Sequence, residues 1–243
     1  MYYCIVIKTA TYKFNHYTLR FMKKQIFLNL VFVIIISNCS FAQQPLEILP
    51  PGYTKVISPA KLKGVDGSPF LSEEWKPGVV NLINGNSIKG LTYRYNVYRN
   101  EMSFLYQEKE YAIGAPDSIK EMNLSGQRFI FGQVMQNNII ERSFFEVATE
   151  GKATLLVKYY IEVIPANFNV ALNSGNPNDQ IVVKERYCLK LGGNIVPIDK
   201  KGKLILTALS DKKTELAEFI DKEDISLKRR DGLLKVISYY NTL

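Results

Sequence analysis

The sequence predicts a mainly β fold, an antiparallel meander, open or barrel-like, with a short C-terminal α-helical segment. Three observations carry this. Between Val79 and Ile198, apolar residues recur at every second position in short runs. Turn residues punctuate those runs, from Asn84-Gly85 to Gly192-Gly193. After Lys200 the apolar spacing becomes three and four residues. A period of two sends alternate side chains to opposite faces of a strand, whereas a period near 3.6 collects them on one helical stripe.

The first element is a leader rather than part of that fold. Met22 is followed by Lys23 and Lys24, then by an apolar run of eleven residues, Ile26–Ile36, broken only by Asn29. Ser40-Phe41-Ala42 places small side chains around a cut before Gln43. A basic start, a short apolar core and a small-residue cut make residues 22–42 an export signal peptide. A bilayer-spanning helix would need about 20 apolar residues, so no transmembrane span is expected in the mature chain. Residues 1–21 then stand upstream, either as a non-native extension ahead of Met22 or as a long first region of the signal. Cys39 offers a second fate, a bacterial lipid anchor, although Asn38 before it suits that chemistry poorly. Soluble release and tethering both stay open. Either places the product outside the cytoplasm: in the periplasm, outer-membrane-associated or secreted.

Removing the leader changes the chemistry available. The whole chain has 31 basic and 23 acidic residues, net +8. Lys8, Lys13, Arg20, Lys23 and Lys24 lie before Gln43, so the remainder carries 26 basic against 23 acidic residues, net +3. That balance is too weak for a polyanion footprint, and no nucleic-acid partner is expected. His16, Cys4 and Cys39 leave as well, so the mature chain has no histidine and one cysteine, Cys188. Ser-His-Asp and Cys-His catalysis need an imidazole. A structural zinc site needs four Cys or His ligands. Neither can be built, and there is no glycine-rich phosphate or dinucleotide motif, so no cofactor is expected. Cys188, in "RYCLKL", reads as a buried small hydrophobe.

The mature chain divides into three parts. Residues 43–78 hold six prolines and form an extended lead-in draped on the domain, with Trp75 as its packing anchor. Residues 79–200 are the β-meander. Asn84-Gly85 suits a type I′ hairpin turn, and after it Leu91, Tyr93, Tyr95 and Val97 share one strand face. Met102, Phe104 and Tyr106 repeat the pattern, as do Leu155, Val157, Tyr159, Ile161 and Val163. An Asn-rich loop, "PANFNVALNSGNPNDQ", precedes a last hairpin of Ile181–Leu191 and Asn194–Ile198. In residues 201–243, Leu216, Phe219 and Ile220 form one helical stripe, and Leu233, Val236, Ile237 and Tyr240 another. Ser210 or Asp211 is placed to cap the first main helix, and Ser226 stands just ahead of the second.

Four phrases, "IKGLTYRYNVYRNEMSF", "FFEVATEGKATLLVK", "ERYCLKLGGNIVPI" and the tail ending "ISYYN", resemble a group of uncharacterised exported proteins of Gram-negative bacteria. The likeness spans Val79 to Asn241. It implies export and a β-then-α order, and it brings no activity or catalytic residue.

Two kinds of residue could still carry function. Trp75, Tyr93, Tyr95, Tyr98 and Tyr106, with Tyr111 nearby, could form a stacking platform for sugar rings or apolar side chains, or could simply be strand core. Glu101, Glu108, Glu110, Glu141, Glu146 and Glu162 could supply a carboxylate pair for a glycan hydrolase, though strands ordinarily carry acids on their wet face. The expectation is therefore an exported, non-enzymatic binding or scaffolding module of the bacterial cell envelope. Its partner would be an envelope protein or a glycan. The alternatives are a hydrolase using paired carboxylates and a lipid-anchored accessory protein.

Overall fold

In a computed structural model, the alternating runs pair into one sheet over residues 54–56, 65–136, 138–199 and 203–243, the residues that the structure describes. The expected export signal at 22–42 with Cys39, His16 ahead of it, and most of the expected lead-in before Val65 lie outside them. The twelve strands are β1 Thr54–Val56, β2 Val65–Asp66, β3 Lys76–Leu82, β4 Ser87–Asn96, β5 Glu101–Tyr106, β6 Lys109–Ile113, β7 Ile119–Leu124, β8 Gln127–Gln136, β9 Ile139–Thr149, β10 Ala153–Ile164, β11 Asp179–Leu191 and β12 Asn194–Pro197. The helices are α1 Lys203–Ala208, α2 Lys213–Lys222 and α3 Arg230–Tyr240.

The strand order is β1-β6-β5-β4-β3-β7-β8-β9-β10-β11-β12, with β2 added parallel to β11. Two meanders thus leave β3 in opposite directions, since β3 takes β4 on one edge and β7 on the other. The sheet is mixed and does not close. At the first hairpin the turn differs from the expected type I′. The Gly85 N–H donates to the Leu82 carbonyl at 3.1 Å, and Gly85 has φ +90° while Asn84 is not left-handed. One left-handed glycine after an ordinary β-turn closes a longer loop than two residues would. At the last hairpin Gly192 and Gly193 both have positive φ, as a two-residue turn requires.

Alternation puts the anticipated residues inside. Tyr93, Tyr95, Val97, Met102 and Phe104 from the first meander pack with Phe129, Phe144, Val157 and Tyr159 from the second. The sheet therefore folds its two halves over a shared core. A turn residue fastens them together. Asn100, at φ +52° between β4 and β5, donates from Nδ2 to the Arg142 carbonyl (2.8 Å), and its Oδ1 accepts from Tyr95 Oη (2.9 Å) and Ser143 Oγ (3.0 Å).

The helices cover the far end of the same face. Leu216, Leu233, Val236, Ile237 and Tyr240 meet Ala153, Leu155 and Leu189 of β10 and β11. The expected caps are not made, because no side chain caps α2 or α3. Asp211 instead accepts from Lys152 Nζ (3.2 Å) and Tyr240 Oη (3.1 Å), tying the helices to the β9–β10 turn. Asn241 completes the join, accepting from the Ala153 N–H and donating to the Ala153 carbonyl, both at 2.8 Å. On the opposite face Val134, Phe145, Leu156 and Cys188 form a smaller core. Ile195 of β12 packs there against β8, so closely that a Cβ on Gly132 would lie 2.9 Å from its Cδ1.

Candidate functional site

The structure does not gather the anticipated aromatic residues on one exposed surface. Tyr93 and Tyr95 are buried, and Tyr98 is 54% exposed just past the end of β4. Tyr106 is half-buried against the first core. Trp75 packs against Arg94 of β4. The Arg94 guanidinium lies between its ring (4.4 Å) and that of Phe70 (3.6 Å), and pairs with Glu110 at 3.1 Å. Arg94 therefore fills an aromatic clamp on the outer face of β4, where cation–π attraction and an ion pair add together.

The acids are mostly engaged with cations. Glu141 meets the buried Lys158, and Glu162 lies 3.6 Å from Lys184. Glu146 corrects the expectation that strand acids face water. Only 8% of its side chain is exposed, and it accepts from Tyr159 Oη and from Arg230 Nη2 (2.5 Å). Arg230 also reaches Glu185 (3.2 Å), whose other oxygen accepts from Tyr187 Oη (2.7 Å). A chain of Tyr159, Glu146, Arg230, Glu185 and Tyr187 thus lies where the core of the two sheet halves meets the core under the helices. Burial, and then the adjoining carboxylate, raises both tyrosine pKa values. Burial also works against the Arg230 cation, but hydrogen bonds to Glu146 and Tyr159 more than offset it, and its pKa rises. The assembly is a saturated clasp, suited to fixing α3 on the sheet rather than to moving protons.

Beside this clasp lies a cleft of about 600 Å³. Its position follows from strand geometry. Glu185, Arg186 and Tyr187 are consecutive on β11, and all three line it. Consecutive strand residues point to opposite faces, so one cleft can touch all three only along the strand's edge. Pro197, Ile198 and Asp199 form one wall where β12 ends. Pro197 faces Cys188, and the Ile198 N–H makes the last bond to β11, to the Tyr187 carbonyl (2.9 Å). Asp199 then turns away and accepts from the Leu204 N–H at the start of α1 (3.0 Å). Met135, Gln136 and Tyr160 contribute from one face of the sheet, Leu227 and Lys228 from the other. Arg186 donates to Gln136 Oε1 (2.7 Å), and its guanidinium lies 4.9 Å from the centre of the Tyr160 ring.

No protein family, curated protein or solved structure matches this chain. The site must be read from its own chemistry. Among the described residues no group of three or more His, Cys, Asp or Glu could hold a metal ion, and no described helix is long and apolar enough to cross a membrane. Cys188 is buried, with its thiol pushed up to about 11 chiefly by burial, which leaves it unreactive near neutral pH. What the cleft offers is an apolar wall, a stacked Arg–Tyr pair, charges of both signs and a strand edge.

Sequence reasoning had not found this cleft. Its signal was nonetheless present: the expected last hairpin has arms of unequal length, Ile181–Leu191 against Asn194–Ile198, and the structure widens the difference to thirteen residues and four. Most of the long arm has no hairpin partner on that side.

Proposed function

We propose that this chain is an exported, non-enzymatic binding or scaffolding module of the bacterial cell envelope, and that it binds through the cleft along β11. One observation carries the binding reading. The cleft follows a strand edge, and each acid lining it already holds a partner: Glu185 has Arg230 and Tyr187, and Asp199 has the Leu204 N–H. A carboxylate held by a cation and a hydroxyl is a poor general acid or base, because those partners fix its position and occupy the oxygens that a substrate would need to reach. Export rests on the leader at 22–42 and on the resemblance of Val79–Asn241 to exported proteins.

The hydrolase alternative draws on one fact, that Glu185 and Asp199 line the same cleft. Two carboxylates flanking a glycosidic bond would be needed. Screening the purified chain against surface polysaccharides for reducing ends separates the readings. A module gives binding without turnover, whereas turnover abolished by Asp199→Asn establishes the hydrolase. Cell fractionation with intact-mass measurement tests the address. A chain starting at Gln43 supports soluble export, and a diacylglyceryl group on Cys39 establishes the lipid-anchored alternative. A cytoplasmic chain that keeps Met22–Ala42 overturns export.

A further inference from the structure

We infer that the occupant of the cleft is an extended polypeptide segment that adds to β11 as a strand. This rests on the binding-module reading above and specifies its ligand. β11 runs over thirteen residues, and β10 pairs with all of it but Asp179, from Gln180 opposite Ile164 to Leu191 opposite Ala153. On the other edge β12 covers Cys188–Leu191, and β2 covers Asp179 and Gln180. Among the described residues, no strand pairs with that edge between these two. The edge is thus a slot closed at both ends by strands that already pair with it, and a peptide laid there would continue the same ladder.

The direction of the free backbone groups can be deduced. The Tyr187 carbonyl points outward, because it accepts from Ile198. In a strand the N–H and C=O of one residue point to the same side, and the side alternates along the chain. Glu185 and Val183, in phase with Tyr187, therefore turn their N–H and C=O groups into the slot. Val182 and Lys184 turn theirs to β10, where they pair opposite Glu162 and Tyr160. An unpaired edge of this kind is a template for another chain, and main-chain bonds to it are indifferent to sequence. Selectivity would come from the walls. Met135 and Arg186 on one face, and Leu227 and Lys228 on the other, each pair an apolar side chain with a cation, so they favour a segment that presents an apolar and an acidic residue to each face. A sugar would use the Tyr160 ring and the charges but would leave the four outward backbone groups of Val183 and Glu185 without regular partners.

Hydrogen exchange on the full chain, together with peptide binding, tests this. The amides of Val183 and Glu185 should exchange much faster than those of Val182 and Lys184, and should slow when the slot is filled. The probe is a library of labelled eight-residue peptides with alternating aliphatic and varied positions, screened by fluorescence anisotropy. For any binder, N-methylating the amides of one phase should abolish binding, and N-methylating the other phase should leave it intact. Val183→Pro removes an outward N–H that the ladder does not use, so it should fold and bind about tenfold more weakly, the loss of one or two hydrogen bonds. Should that variant fail to fold, the N-methyl series and the exchange rates still decide. Equal exchange at all four amides, or equal sensitivity of both N-methyl phases, overturns the inference. Glycan-array binding lost in Tyr160→Ala, with no peptide bound, overturns the peptide and keeps the binding module. Binding of neither class overturns both.

Discussion

At Tyr93 a hydroxyl is buried with no hydrogen-bond partner among the described residues, and burial raises its pKa. A buried polar group left unbonded is a cost that its removal relieves. Tyr93→Phe should therefore leave urea stability unchanged or raise it by up to about 1 kcal/mol. A clear loss would mean that the hydroxyl has a partner. Cys188 gives a prediction in pH. Burial raises its thiol from an ordinary value near 9 to about 11, so the folded chain favours the neutral form. Its contribution is complete below about pH 9 and disappears as the pH rises through 11. Over that interval the parent should lose about 2 kcal/mol more than Cys188→Ala, measured by denaturation at each pH. Equal losses would show that the thiolate is accommodated.

At the scale of the element, α3 is positioned by Arg230 rather than by a capping side chain. It joins Glu146 and Glu185 from different strands, and Glu146 has almost no access to water. Arg230→Ala leaves that buried carboxylate without its cation and should cost about 3–5 kcal/mol. Pairing it with Glu146→Gln should recover part of the loss, because the orphaned charge is gone. A loss equal in single and double variants would rule out the charge as its cause. This clasp also marks where reading the sequence stopped. The periods of two and 3.6 placed Tyr93, Tyr95, Phe104, Leu155, Leu233 and Val236 correctly, because burial of one face imposes those periods. Glu146 could not be placed, since its burial depends on a residue 84 positions later. The Ser210, Asp211 and Ser226 caps also failed, for a local preference yields when the side chain finds a distant partner, as Asp211 does in Lys152 and Tyr240.

At the scale of the molecule, the face of β10 and β11 is divided between two covers: the first meander over one half and the helices over the other. Without α1–α3, Leu155, Leu189 and Ala153 would face water. A chain ended at Asp199 should therefore lose cooperative thermal unfolding and bind a hydrophobic dye, even though its strands are all present. A sharp, parent-like transition would show that the helices are an appendage. The turn from one meander to the other at β3, and the parallel addition of β2, could not be read from periodicity. Periods report which residues are buried, not which strands are neighbours.

The pairing of β2 with β11 also has a consequence in time. Val65 lies opposite Asp179, so the earlier strand leaves the ribosome well over a hundred residues before its partner exists. At about 5–20 residues per second, that interval is roughly 6–20 s. The hairpins of the first meander, and those of the second as far as β9–β10, can close within that interval, because each needs only its neighbour. β2 must stay unpaired until β11 has emerged, although β1 and Phe70 on either side of it can already meet β6 and Asn96, which makes the docking of β2 on β11 a late event.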